Sequence, residues 1–271
     1  MKRASRFTAL VLAVVLAFAP AGASASSVHA AEFFSFLGKA AKRGWVTSGD
    51  RTYYYNKSGQ RVKGIHKING KYYIFNSNSG ALLKNKIIYK YSATKYYKIN
   101  KDGVATRFIG TSAKAAKLIY DKMRTATAFD MLKRAFQWVA SSSFTSNVPE
   151  PGSGVSKATY YGQWGLTRHS GDCAVMAYTF YWMAKVLGYK VRVIDGYYVS
   201  GTNYKEHSWC EIVHNGTVYV YDPDFNLEFK NKITRTTYGF NSIGFKVRYG
   251  DKNTLPYCRP DKSRIENGGK A

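Results

Sequence analysis

Acidic residues are scarce in this chain. Its 271 residues include 16 Asp and Glu against 41 Lys and Arg, which leaves a formal charge of +25 at pH 7. Such an excess asks for an anionic partner surface, or serves only to keep a chain with 23 tyrosines in solution. Cysteine is also sparse, at Cys173, Cys210 and Cys258. No paired ligand spacing links them, so neither a metal site nor a cofactor is expected. If one thiol is kept for chemistry, a disulfide can only join Cys210 to Cys258; the alternative is three reduced thiols. Long apolar runs are missing after the N-terminus, so no membrane span is expected beyond it.

The N-terminus has a run of its own. Lys2, Arg3 and Arg6 precede an apolar stretch from Ala9 to Ala19, followed by Pro20 and the small-residue signal Val28-His29-Ala30. That pattern predicts a secretory signal peptide over residues 1–30, removed before the chain folds outside the membrane.

The residues that carry chemistry lie between Ser170 and Leu227. From Cys173 to Leu187 only Thr179 and Lys185 are strongly polar, Asp172 is a good N-terminal cap and Gly188 stands where a helix C-cap glycine belongs. A buried helix is predicted, with Cys173 in its first turn, where unpaired amides and the macrodipole favour a thiolate. Tyr189–Val199, His207–Val213 and Val218–Asp222 read as strands, and Asn215-Gly216 is a strong signal for a two-residue type I′ turn. With that turn, His214 faces Thr217, Trp209 faces Asp222 and His207 faces Asp224. Alternation then puts His207, Trp209, Asp222 and Asp224 on one face and Cys210 on the other. Asp222 sits diagonal to His207, roughly 7 Å away along the backbones and within side-chain reach. Asp224 is the competitor, although Pro223 ends the ladder before it.

Gly171-Asp172-Cys173 opening an apolar helix, His207-x-Trp209-x-Glu211 on a strand and Asp222-Pro223 closing the next resemble the transglutaminase-like superfamily, over roughly Lys114 to Phe229. The resemblance implies an α+β fold with a papain/transglutaminase-like core, a central buried helix packed on an antiparallel sheet. It also implies Cys173 as nucleophile, His207 as proton shuttle and Asp222 as the carboxylate that orients the imidazole. Members include crosslinking enzymes, peptidases, deamidases and inactive scaffolds. The implied substrate is a protein or peptide amide attacked through a Cys thioester, resolved by water or by an amine. A non-catalytic adhesion or polyanion-binding protein is the alternative.

A second pattern recurs between Arg43 and Thr106. Gly44-Trp45, Tyr53-Tyr54-Tyr55 and Ser58-Gly59 are followed by Gly64-Ile65, Lys71-Tyr72-Tyr73 and Ser79-Gly80, then by Lys95-Tyr96-Tyr97 and Asp102-Gly103. A period of roughly twenty residues indicates a stacked hairpin array. The units resemble the choline-binding or cell-wall-binding repeats of Gram-positive surface proteins, which implies a secreted protein held at such a wall. The many lysines against Glu32, Asp50 and Asp102 point to an anionic wall polymer as the partner, and a structural spacer packed through its aromatics is the alternative. Nucleic acid is not an expected partner. Trp45, Tyr54 and Tyr73 are the candidate ligand-binding aromatics. The second unit has Ile65 in the place of Trp45 and the third has no Gly-Trp, which argues against a choline cage, since that needs several aromatic faces.

After Ser112 the periodicity becomes helical, over Ala116–Met123 and Met131–Val139, with Ser112 and Thr127 as caps. Ser146–Lys157, with Pro149, Pro151, Gly152 and Gly154, reads as a loop leading to Tyr160-Tyr161-Gly162-Gln163-Trp164. Gln163 and Trp164 are candidates for the cleft and an oxyanion site beside the Cys173 amide. Further strand is expected over Tyr238–Tyr249. The expected organisation is a signal peptide over 1–30, repeats over 31–110, a catalytic domain over 111–258 and a free tail over 259–271.

Overall fold

Asparagine and glycine set the hairpins. In the computed structural model, residues 42–226, 243–251, 254–263 and 265 are described; the expected signal peptide and the segment from Tyr238 to residue 242 lie outside them. The chain divides into two compact units, Met1–Val62 and Lys63–Ala271.

In the first unit, β1 (Gly44–Ser48) and β2 (Arg51–Tyr55) form an antiparallel hairpin in which Trp45 faces Tyr54. Arg61 lies 3.9 Å from the centre of the Tyr53 ring. The chain leaving β2 is held by Asn56, whose Oδ1 accepts from the amides of Ser58 and Gln60 at 3.0 and 2.9 Å.

The second unit repeats this device. β3 (Gly64–Ile68) pairs with β4 (Lys71–Phe75), and β5 (Lys86–Ser92), β6 (Lys95–Ile99) and β7 (Ala105–Arg107) form a three-stranded sheet. Asn76 Oδ1 accepts from Asn78 and Ser79, and Asn100 Oδ1 from Asp102 and Val104. Each loop is therefore built on an Asx turn, and the asparagine is as much a part of the repeat as the glycine after it.

Helices come next: α1 (Gly110–Lys122), α2 (Ala128–Val139), α3 (Lys157–Arg168) and α4 (Cys173–Leu187). Thr127 caps α2 by accepting from Asp130 N at 3.0 Å. Ser112 is not the cap of α1. It stands inside the first turn and accepts from Ile109 N at 3.0 Å, because the helix already begins at Gly110. Between α2 and α4, the short strands β8 (Ser143–Phe144) and β9 (Ser170–Gly171) pair in parallel. The α4 helix is the centre of the unit: α1, α2, α3 and two strands of the main sheet pack around it, and its Phe180, Met183 and Ala184 are wholly enclosed.

That sheet holds β10 (Val191–Ser200), β11 (Asn203–His214), β12 (Thr217–Tyr221), β13 (Phe245–Val247) and β14 (Tyr257–Cys258), in the antiparallel order β13-β12-β11-β10-β14. Asn215 and Gly216 have φ of 49° and 80°, as a type I′ turn requires, and His214 pairs with Thr217. The mixed helix and sheet architecture and its N-terminal hairpins agree with the sequence reading.

Two expectations need correction. The segment carrying Gln163 and Trp164 is helical, since Ser156 caps α3 and Gly162 and Gly165 let α3 lie directly on α4; a Cβ on Gly165 would stand 1.9 Å from Thr179 Oγ1. Of the two states the sequence left open for the thiols, the reduced one is found: no disulfide joins Cys210 to Cys258, and all three thiols are free. Cys210 lies on β11 and Cys258 on β14, with β10 between them. Two strand spacings amount to about 9–10 Å, beyond the roughly 7 Å limit for bridged Cα atoms. Finally, the tail is tied down at one point among the described residues: Arg259 N bonds Ser263 O in a local turn, and Ile265 is buried among Trp209, Val220 and Tyr257.

Candidate active site

The first turn of α4 brings the thiol to the site. Asp172 has extended backbone and its side chain accepts from Val175 N at 3.0 Å, so the helix starts at Cys173. Gly171 is required just before it, because a Cβ there would stand 2.3 Å from Val175 Cβ. Gly188, at φ 98°, ends the helix as expected. Cys173 is partly exposed, whereas Cys210 and Cys258 are buried. Burial, with Asp222, Asp195 and Glu211 nearby, pushes the Cys210 thiol well up, and it donates to Ala177 O. Cys173 is the thiol that solvent and substrate can reach.

The sheet supplies the partners. His207 lies on β11 opposite Gly196, and its Nε2 is 2.7 Å from Asp222 Oδ2 at the end of β12. Asp222 is fully buried and His207 nearly so. Asp224, the competing carboxylate, is 3.9 Å from Nδ1 on the other side of the ring. The diagonal geometry expected from the hairpin therefore favours Asp222. The Cys173 thiol, a His207 ring nitrogen and an Asp224 oxygen lie within 4.8 Å of one another. With Nε2 occupied by Asp222, Nδ1 is the nitrogen left for the thiol.

The electrostatics follow from this arrangement. Burial opposes a charged imidazole, but the Asp222 carboxylate and its hydrogen bond, joined by that of Cys173, outweigh it and hold His207 well above its ordinary range. The imidazolium can then donate from both nitrogens at once, Nε2 to Asp222 and Nδ1 toward sulfur.

One partner carries no local sequence signal. Tyr257, on β14, donates to Asp222 Oδ2 at 2.5 Å, and burial together with Asp222 keeps its phenol protonated. Asp222 Oδ1 accepts from Phe225 N at 3.0 Å. The carboxylate is thus fixed from three directions. On the same face of β11, Trp209 Nε1 donates to Tyr249, Tyr249 donates to the buried Glu211, and Arg192 pairs with Glu211. That chain explains the Trp209-x-Glu211 part of the motif: it braces the strand that carries His207.

The site opens into a cavity of about 300 Å³, lined in part by Tyr161, Cys173, Tyr197, His207, Ser208 and Pro260. Gln163 and Trp164 do not line it. Gln163 Nε2 bonds Thr111 Oγ1 at 3.2 Å, and Trp164 lies under the Arg168 guanidinium at 3.9 Å. A helix turns only some of its residues to the cleft, and Tyr161 is the one from this stretch that does so. Of the candidate repeat aromatics, Trp45 and Tyr54 meet edge to face at 5.1 Å with Trp45 exposed, and Tyr73 pairs with His66 on β3.

Comparison with known proteins yields two family matches. Residues 113–223 match the transglutaminase-like superfamily and residues 42–87 match the choline-binding repeat. Among solved structures, the choline binding domain of Spr1274 from Streptococcus pneumoniae is similar at 30% identity, over 25% of this chain and 77% of that one, with a TM-score of 0.23. Choline binding protein F from the same organism is similar at 25% identity, over 24% and 21%, with a TM-score of 0.22. A Cytophaga hutchinsonii protein described as a "putative cysteine protease" is similar at 18% identity, over 42% and 37%, with a TM-score of 0.34. Curated proteins give no match. The match over residues 113–223 supports a thiol enzyme of transglutaminase-like type, and the match over residues 42–87 marks that stretch as similar to choline-binding repeats.

Proposed function

We propose that this transglutaminase-like domain performs acyl transfer through Cys173, acting on an amide of a protein or peptide. The observation that carries the reading is the meeting of one accessible thiol, an imidazole hydrogen-bonded to Asp222 and a locked carboxylate at an open cleft. Cys173 Sγ attacks the amide carbonyl carbon and the C–N bond breaks as the His207 imidazolium gives its proton to the departing nitrogen. The product is a thioester on Cys173. Water or an amine then attacks it, with neutral His207 taking the proton and sulfur leaving. Asp222 holds the ring in the tautomer that presents Nδ1 to sulfur. The Cys173 amide, first in α4 and outside the helix ladder, is the proposed oxyanion donor in place of Gln163 and Trp164.

For the whole chain, the reading is an exported enzyme held at a bacterial cell wall. Its support is the charge of +25, the signal-like N-terminus and the choline-binding-type repeats. The repeats serve as the anchor, through an anionic wall polymer.

Intact-mass analysis after incubation with a thiol-directed electrophile tests the chemistry. One adduct is expected, at Cys173, with loss of adduct and of all acyl turnover in Cys173→Ala. Turnover that survives in Cys173→Ala refutes the reading. Because Cys173, His207 and Asp224 could also ligate a divalent ion, added zinc is expected to block labelling and a chelator to restore it.

A further inference from the structure

The Cys173 cleft gathers negative charge in a chain that has little of it. Glu150, Asp172, Asp195 and Glu206 line it, against Lys157 and the His207 imidazolium, although basic residues outnumber acidic ones 41 to 16 over the chain. Several acids elsewhere have cationic partners: Asp121 pairs with Lys117, Glu211 with Arg192 and Asp251 with Arg248. Among the described residues none of the four cleft carboxylates has such a partner within 4.0 Å.

Neutral donors hold three of them instead. Tyr161 Oη donates to Glu150 at 2.8 Å, Tyr178 Oη and Ser208 Oγ donate to the two oxygens of Asp195 at 2.9 and 2.7 Å, and Val175 N donates to Asp172. Hydroxyl and amide donors fix a carboxylate in place without cancelling its charge. The positions are also purposeful. Asp195 faces Ser208 and Glu206 faces Tyr197 on the β10–β11 ladder, to either side of the Gly196–His207 pair, while Asp172 caps α4 directly before the thiol. Burial, reinforced by Asp195, pushes the Tyr178 phenol up, and burial with Glu150 does the same to Tyr161.

Resting on the reading of Cys173 as the nucleophile of this cleft, we propose that the cleft selects an acyl donor bearing an organic cation, an ammonium or a guanidinium, beside the amide that is attacked. The global positive charge acts at a distance and is screened over roughly 8 Å at physiological ionic strength. A group within the cleft meets the near carboxylates first. Asp195 and Glu206 are the specificity residues assigned to this task, since both are exposed and neither belongs to the Cys173, His207 and Asp222 set.

Charged thiol reagents test this on the full chain. A methanethiosulfonate bearing trimethylammonium, one bearing sulfonate and a neutral methyl reagent are compared for their rate of modifying Cys173, each normalised to its rate with free cysteine. The cationic reagent is expected to exceed the anionic one by roughly tenfold after normalisation. In Asp195→Asn/Glu206→Gln the preference is expected to fall by more than half, with the neutral rate unchanged. Equal normalised rates, or a faster anionic reagent, with the neutral reagent labelling normally, overturn the cation preference and leave the thiol reading in place. A preference that persists in the double variant overturns its assignment to Asp195 and Glu206. Failure of the neutral reagent to label Cys173 removes both readings.

Discussion

Asp222 accepts from three donors at once: His207 Nε2, Tyr257 Oη and Phe225 N. Tyr257→Phe removes one hydrogen bond to a charged, buried acceptor and is expected to cost about 1.5–3 kcal/mol, read by urea denaturation. It also frees Asp222 Oδ2 to act on His207 alone, so the imidazole should titrate at still higher pH in the variant, which NMR of the ring protons would show. The linkage for His207 has a definite sign. Its pKa in the folded chain is raised above the unfolded value of roughly 6.5. Its contribution to stability is therefore fully present below that pH and is lost as pH rises through the folded value. In Asp222→Asn the opposing effect of burial is left without its counterweight, so this gain should vanish, and the dependence of stability on pH measured by urea titration should flatten or reverse in sign. The core of this site was legible because Asn215-Gly216 sets a register in which His207 and Asp222 must approach. Tyr257 was not, since it reaches Asp222 from β14, across a pairing that no local pattern announces.

At the scale of elements, the decisive contact is α3 on α4. Glycine is among the poorest helix formers, and the prolines and glycines ahead of Ser156 make the whole region read as loop. Tertiary packing overrides that reading, because Gly162 and Gly165 are the positions at which α3 meets Trp182 and Thr179. Gly165→Ala should raise helix propensity and yet destabilise the protein by about 1–3 kcal/mol, since the new methyl collides with Thr179 Oγ1 and meets Val175 at 3.0 Å. Thr179→Ala in the same chain removes the closest atom and should recover part of the loss. A double-mutant cycle measured by chemical denaturation checks the coupling, and strict additivity would refute the proposed contact. The α4 helix was readable for the opposite reason. Its cap, its apolar length and its terminal glycine all agree, and the structure adds only Gly171, whose missing side chain makes room for Val175.

At the scale of the whole molecule, the sequence and the packing draw different lines. Periodicity groups all the aromatic hairpins together and changes character near Ser112, whereas the compact units divide between Val62 and Lys63. Side-chain direction accounts for the difference. Tyr96 of β6 is buried in the same core as Ile119 of α1 and Phe180 of α4, and Ile87 and Ile88 of β5 pack against that core. A repeat-like motif in sequence thus serves as one wall of the unit that holds Cys173, and a period of aromatic residues cannot report which face of each strand a later helix will cover. Truncation distinguishes the two divisions. A chain beginning at Lys63 keeps every member of that core and should melt in one transition with its thiol chemistry intact. A chain beginning at Thr111 loses Tyr96 outright and uncovers its neighbours on α1 and α4, at about 1.5–3 kcal/mol for each large apolar side chain taken from full burial. Against the 5–15 kcal/mol that typically holds a domain together, that loss should leave the Thr111 chain partly unfolded at 37 °C. Equal melting temperatures for the two truncations would mean that the β5–β7 sheet adds nothing to the core, and the division at Val62 would then have no energetic meaning.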